Sequence, residues 1–272
     1  MVLEPLSIEL LNTIFDETSK KVIEFYLKRA LISQPEKIDN QDTLPIQIPK
    51  EHLEQYIVQA IGAIPVGAGN YAVDVIKEND FGADIKMLSC KLNAAGQLTN
   101  SDSGETSLAQ NFKDTGTSLD QLFESEDYST IIDGWRSILI KKLNKVLYEK
   151  SVNKIYYIFI LRAASTFYLC GLKVNIDQLD YIKPLKTKDN KIKASSSSLY
   201  IDNYIDSNLG NVKIYKAKKR LELRLKPKYW VDNNYVLSFP LTFKTPNLNA
   251  RELIQKNRES DYLNNLIHDL NI

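Results

Sequence analysis

Two apolar runs in the middle of the chain limit the fold more than any other feature: Lys154–Leu161 (KIYYIFIL) and Thr166–Val174 (TFYLCGLKV). Neither alternates strictly between apolar and polar, so each reads as a strand covered on both faces, as at the centre of a sheet. The chain must then supply layers on both sides, and it carries three candidates with helical spacing. Ser7 to Leu31 places Ile8, Leu11, Ile14, Phe15, Val22, Phe25 and Tyr26 on one amphipathic helix. Lys50–Ile64 makes a stripe of Leu53, Tyr56, Ile57, Ala60, Ile61 and Ile64, and Ser129–Tyr148 does the same through Ile131, Ile132, Trp135, Ile138, Leu139, Leu143, Val146 and Leu147. The class is α/β (α+β), a mixed central sheet flanked by helices.

The remaining segments divide by composition. Residues 33–49 contain Pro35, Pro45 and Pro49 and form a connection. Residues 93–128 are polar, with Gly96, Gly104 and Gly116. They are expected to be a long functional or mobile loop carrying at most short helices such as Ser107–Phe112. Between Lys183 and Lys228, eleven Lys and two Arg face Asp189, Asp202, Asp206 and Glu222, a local charge of +9 in a chain of net charge +1. Asn211–Ala217, Lys219–Leu225 and Tyr235–Phe243 read as strands in this half, with Ala194–Ser198 as a flexible tether. A last helix starts near Asn249 and carries Leu253, Ile254, Leu263, Leu266, Ile267 and Leu270. Two units are expected: 1–180, a helical start and a core, and 181–272, a basic β-rich part closed by a helix.

Several function classes are excluded early. At 272 residues, 43% hydrophobic and 25% charged, the composition is that of a globular protein with a substantial core. No stretch reaches the roughly 20 apolar residues of a membrane span, and MVLEPLSIELL lacks the pattern of a signal peptide, so a cytoplasmic location with no membrane partner is expected. Cys90 and Cys170 sit inside apolar runs and read as free, buried thiols. His52 and His268, the only histidines, are too far apart in sequence to suggest a zinc site or a histidine triad. The Gly67-Ala68-Gly69-Asn70 turn is neither a Walker A loop nor GxGxxG.

The stretch with chemical content is Tyr71–Lys91, YAVDVIKENDFGADIKMLSCK. Two apolar-rich runs, Tyr71–Ile76 and Ala83–Cys90, flank a connection containing Asn79, Asp80 and Gly82, which predicts a β-hairpin. Asp84 and Lys86 are two apart and share one strand face, and Asp74 can meet them from the partner strand. Two carboxylates and an ammonium on a half-buried sheet are costly unless something binds there, and a divalent cation is the simplest partner. Glu54 lies one step round from Leu53, at the edge of the preceding helix's apolar stripe.

Asp74, nine residues, then Asp84-Ile85-Lys86 resembles the catalytic signature of the PD-(D/E)xK nuclease superfamily. The order helix, hairpin, helix, strand, strand along residues 50–175 resembles its core as well, and type II restriction endonucleases are similar in size and layout. Val73 stands where the name-giving proline would be, and no clear third strand follows the hairpin directly. The resemblance implies a restriction-endonuclease-like sheet and a sequence-specific double-stranded DNA endonuclease that uses Mg²⁺ and leaves 5′-phosphate ends. Asp74, Asp84 and the backbone carbonyl of Ile85 would hold the ion, with Glu54 as an added ligand, and Lys86 would orient or help deprotonate the attacking water. A homodimer through the terminal helices and a cognate DNA methyltransferase as genetic partner are implied too. In an alternative register Asp84 works with Ser89-Cys90-Lys91, making Lys91 the working lysine. Two other functions stay open: a nuclease of the same core acting on junctions or damaged DNA, and a non-catalytic DNA-binding protein.

Under this resemblance the basic half becomes the expected DNA surface. Lys213, Lys216, Lys218, Lys219, Arg220 and Arg224, with Tyr215, Tyr229 and Trp230 nearby, would line a ribbon against the duplex. Lysines suit phosphates and arginines suit guanine edges. A solvated sheet face is the plainer alternative for these alternating charges. Asn100, Thr106, Gln110 and Asn111 are polar enough to reach a groove, with no specific role assigned.

Overall fold

The computed structural model describes residues 1–41, 46–67, 71–100, 104–110, 112, 117–241 and 248–269. The chain opens with strand β1 (Leu3–Pro5) and helices α1 (Ile8–Ile14) and α2 (Glu17–Ile32). The single helix expected over 7–31 is broken because Asp16 accepts the amide of Ser19 at 2.8 Å and starts a new N-terminus. Helix α3 (Lys50–Ile61) stops at Gly62, whose φ of 60° is left-handed. Ile64, expected in the helix, therefore lies in a short strand, β2 (Ile64–Pro65).

The hairpin follows as β3 (Val75–Lys77) and β4 (Phe81–Ser89), turning at residues 78–80 with Asn79 at φ 58°. The first strand is shorter than Tyr71–Ile76. Asp74 donates its amide to the Ala83 carbonyl, but its side chain, not a backbone carbonyl, accepts the amide of Ile85 at 2.8 Å. Gly82 lies in β4 and not in the turn. The turn expected at 67–70 falls largely outside the described residues.

Residues 105–110 overturn the helix expected at Ser107–Phe112: they form strand β5 (Glu105–Gln110). Then come α4 (Leu119–Glu124), opened by a Ser118/Gln121 capping box, α5 (Tyr128–Glu149), and the two apolar runs as β6 (Lys154–Ala163) and β7 (Thr166–Val174). A 3₁₀ turn at Ile176–Tyr181 leads to β8 (Lys183–Pro184), β9 (Ala194–Ser195), β10 (Ser198–Asp202), β11 (Gly210–Tyr215) and β12 (Arg220–Leu225). The expected tether at 194–198 is a tight β9–β10 hairpin in which Ser195 Oγ accepts the amides of Ser197 and Ser198. Helix α6 (Pro227–Asp232), strand β13 (Leu237–Pro240) and helices α7 (Ala250–Gln255) and α8 (Glu259–Asp269) complete the chain. The last two replace one expected helix, because Asn257, at φ 50°, turns the backbone between them. Residues 242–243 and Leu270 lie outside the described residues.

The protein is a mixed α/β structure with two sheets. The central sheet runs β2-β3-β4-β6-β7, with β13 and β1 one after the other along the outer edge of β7. Only β4 and β6 pair in parallel; the other pairs are antiparallel. The strand missing directly after the hairpin is thus β6, delivered to β4 only after α5. The second sheet, β5-β12-β11-β10-β8 with β9 beside β10, is antiparallel throughout.

Sheet membership crosses the expected boundary at residue 180 in both directions. Strand β5 joins the second sheet, and β13 returns to the central one.

Alternation along β6 shows why its sequence is apolar on both faces. Tyr156, Ile158 and Ile160 pack with Leu27, Leu53 and Ile57 of α2 and α3. Ile155, Tyr157, Phe159 and Leu161 belong to the other core, with Trp135 and Leu139 of α5 and Leu199, Ile214 and Leu223 of the second sheet. The central sheet is therefore sandwiched between α1–α3 and a layer made by α5 and the second sheet.

Candidate active site

Parity along β4 decides which side chains meet. Ala83 and Ile85 are buried against the α1–α3 layer, while Leu88 joins the opposite core. Asp84 and Lys86 share the face of Leu88 and point toward α5 and the second sheet. There they line a cleft of about 300 Å³ with Asp74, Lys50, Lys142 and Lys145 of α5, and Ser107 and Gln110 of β5. Sequence spacing and structure thus bring Asp74, Asp84 and Lys86 together. Lys91, just beyond β4, is exposed and does not line this cleft.

The cleft is dense in charge. Lys86 Nζ donates to both oxygens of Asp84, at 2.5 and 2.6 Å. Asp84 is 8% exposed. Burial pushes its carboxyl up to about 7, with Lys86 opposing the rise and the neighbouring Asp74 charge adding to it. One oxygen of Asp74 accepts the Ile85 amide, and the other accepts from Lys50 Nζ at 3.2 Å. Lys50 also reaches Glu54 at 3.0 Å. Burial works against the Lys50 ammonium, but Glu54 and Asp74 outweigh it and hold its pKa above that of an ordinary lysine.

Glu54 is therefore tied to the aspartate pair through Lys50. Among the described residues, no three His, Cys, Asp or Glu side chains form a ready-made metal cage. What Asp74, Asp84 and the Ile85 backbone offer is oxygen alone, the donor set of a hard divalent ion that keeps several waters. A carboxyl pushed up by burial, and further by a second carboxylate, is the electrostatic state that a bound cation relieves. The donor set therefore fits Mg²⁺; Glu54 does not line the cleft and meets Asp74 only through Lys50.

Three lysines of the cleft escaped the sequence reading. Lys142 and Lys145 sit three apart beside the apolar stripe of α5, a spacing that puts both on the side turned to the cleft. Lys50 is four residues before Glu54, the usual helical ion-pair distance. Of the polar loop residues, Gln110 lines the cleft, Thr106 is turned into the core, and Asn100 accepts the Tyr229 amide through its side chain. Asn111 lies outside the described residues. Both thiols are free; Cys170 is buried as expected, whereas Cys90 is only half-buried, and burial pushes its thiol up to about 12.

The six basic residues expected at DNA, Lys213 to Arg224, lie on one hairpin, β11–β12, but they are not bare. Lys213 pairs with Glu105 at 2.9 Å and Glu222 at 3.4 Å, Arg220 pairs with Glu222, and Arg224 pairs with Glu105. Lys216 lies 3.7 Å from Asp120 and 3.9 Å from Glu124 of α4, and Lys218 stands over the Tyr215 ring. Lys219 closes the turn at φ 44°.

Among the described residues no helix is long and apolar enough to cross a membrane. No protein-family model, curated protein or solved structure matches the chain.

Proposed function

We propose that this protein is a Mg²⁺-dependent, sequence-specific double-stranded DNA endonuclease of the PD-(D/E)xK type, with the character of a type II restriction enzyme. The observation that carries the reading is the meeting of Asp74, Asp84 and Lys86 in one lysine-lined cleft at the hairpin. The sheet order, a hairpin joined in parallel to a strand delivered after a long helix, supports it.

Asp74 and Asp84 would hold Mg²⁺, with the Ile85 carbonyl as a further ligand. Bound there, Mg²⁺ supplies a lowered pKa for coordinated water and positive charge beside the scissile phosphate. Lys86, an ammonium fixed by its two hydrogen bonds to Asp84, would orient the attacking water and contact the scissile phosphate. The water oxygen bonds to phosphorus as the P–O3′ bond breaks; the attacking water gives its proton to solvent water and the leaving 3′ oxygen takes one from solvent water, giving a 5′-phosphate and a 3′-hydroxyl. Lys142 and Lys145 offer positive charge to the backbone of the strand being cut. A two-fold dimer and a companion methyltransferase belong to the same proposal.

Digestion of a fully sequenced phage genome with Mg²⁺ tests it. Discrete, reproducible fragments are expected. Absence of cleavage on any duplex with Mg²⁺ or Mn²⁺ would sink the enzymatic reading, and cutting only at junctions or nicks would transfer it to a structure-specific nuclease.

A further inference from the structure

The solvent-side face of the second sheet is built as cross-strand rows that run into the cleft. One row is Tyr200, Lys213, Glu222 and Ser107, one residue from each of β10, β11, β12 and β5. A second is Tyr215, Arg220 and Gln110, and a third is Asn211, Arg224 and Glu105. Ser107 and Gln110 also line the cleft that holds Asp84 and Lys86, so the two surfaces are continuous. The opposite face, with Leu221, Leu223 and Leu225, is buried in the core.

Within these rows each acid is less exposed than the arginine it pairs with. The Glu222 side chain is 1% exposed, against 22% for Arg220 and 38% for Arg224. Glu222 Oε2 and Arg224 Nε are both buried without a hydrogen-bond partner, although Lys213 lies 3.4 Å from Glu222. Three cations share two carboxylates, so the face is nearly neutral despite the basic composition of this half. A surface meant to hold phosphates by charge would not bury Glu222 beneath Arg220 or tie Glu105 to Arg224. A surface meant to read bases would, because a guanidinium has five donors in a fixed fork, and a carboxylate that takes some of them fixes the aim of the rest.

We infer that Glu222 and Glu105 are positioning residues, and that they fix Arg220 and Arg224 to read guanine edges in the major groove of duplex DNA. The inference rests on the nuclease reading and adds the recognition surface to it. Direction, not charge, is then what these two arginines contribute. Arg220→Lys and Arg224→Lys keep the charge but lose the fork, while Glu222→Gln keeps the shape but releases Arg220.

The test is selection from a randomised duplex pool by the full chain, with Ca²⁺ replacing Mg²⁺, followed by sequencing of the retained duplexes. Wild type is expected to enrich sequences with guanine at fixed positions. Arg220→Lys, Arg224→Lys and Glu222→Gln are each expected to lower that guanine enrichment by about 10-fold or more, with total pool retention falling much less. The inference is overturned if the lysine variants enrich the same sequences as wild type, or if wild type prefers single strands or retains no duplex. Should Glu222→Gln fail to fold, the two lysine variants decide alone. If wild type cuts DNA at discrete sites and the lysine variants cut the same sites at the same rate, the nuclease reading stands and only this inference falls.

Discussion

Each sheet carries a charged cluster on one face, and the clusters are balanced in opposite ways. In the cleft, ion pairs join three carboxylates, Glu54, Asp74 and Asp84, to two ammoniums, Lys50 and Lys86. On the second sheet, two carboxylates, Glu105 and Glu222, are joined to three cations, Lys213, Arg220 and Arg224. The consequence is visible in the acids. Burial, with Asp74 beside it, pushes Asp84 up to about 7. Burial acts on Glu105 too, but Lys213 and Arg224 more than offset it and the carboxyl is held below its usual range. Lys142 and Lys145 also line the cleft, so what distinguishes it is the raised, buried Asp84 carboxyl and not a shortage of positive charge. The second-sheet cluster, with Glu105 held low by its cations, is already set, and it can serve as a rigid surface.

The largest expected effect falls on the cleft. Under the proposed function, Asp84→Ala or Lys86→Ala lowers Mg²⁺-dependent cleavage by on the order of 10³-fold, comparable to losing a main transition-state contact. Duplex binding, followed by fluorescence anisotropy, survives both changes. Retained cleavage in the Lys86→Ala protein would instead transfer the role to Lys91.

On the second sheet the expected loss is in stability. Glu222→Ala leaves Arg220 without its carboxylate and Lys213 with Glu105 alone, and should cost at most about 3–5 kcal/mol, the penalty for breaking a buried ion pair from one side. Urea unfolding measures this, and a cost under about 1 kcal/mol would mean that the network relaxes freely.

The two clusters should also respond to pH with opposite sign. Asp84 has a folded-state pKa above its unfolded value of 3.8, so the folded protein holds the extra proton. Its contribution is fully present below about pH 4 and is lost as pH rises through about 7. Asp84→Asn should therefore stabilise the metal-free protein at pH 8, by at most about 4 kcal/mol at 1.4 kcal/mol per pH unit. Glu105, with a depressed pKa, contributes above its unfolded value of 4.5 and loses that contribution as pH falls. Thermal melts of the wild type, Asp84→Asn and Glu105→Gln across this range separate the two. A wild-type curve flat from pH 4 to 8, unchanged by Asp84→Asn, would remove the case for a strained carboxylate.

The smallest effect concerns Lys50, whose side chain is 56% exposed. Lys50→Met should change stability by less than about 1 kcal/mol, as for other exposed pairs. It should nonetheless tighten Mn²⁺ binding measured by calorimetry, because the ammonium no longer competes for Asp74. Unchanged Mn²⁺ affinity would show that Lys50 does not compete with the ion.

Much of this was legible in the sequence where the determining interactions are local. The doubly apolar runs had to be central strands, and period-2 parity put Asp84 and Lys86 on one face. The 3.6 period marked α3 and α5. Capping broke the first helix at Asp16, and a left-handed glycine ended α3 at Gly62; both signals were present but were outweighed by the apolar stripe. What local sequence could not carry was pairing across distance. Strand β5 is polar and glycine-flanked, and it becomes a strand only because β12, more than a hundred residues later, offers it an edge. Strand β13 likewise follows the basic half in sequence but pairs with β7.

Composition misled most about charge. The +9 of residues 183–228 described a basic ribbon, but Glu105 lies outside that window, and only folding sets it and the buried Glu222 beneath the cations. The sequence alone determined the layered α/β class and the grouping of Asp74, Asp84 and Lys86, because strand periodicity and hairpin closure act over a few residues. Tertiary structure decided the rest. Lys50, Lys142, Lys145, Ser107 and Gln110 join that group, and Lys213, Arg220 and Arg224 of the second sheet meet Glu105 and Glu222, because pairing and ionic contact depend on which distant segments share an edge.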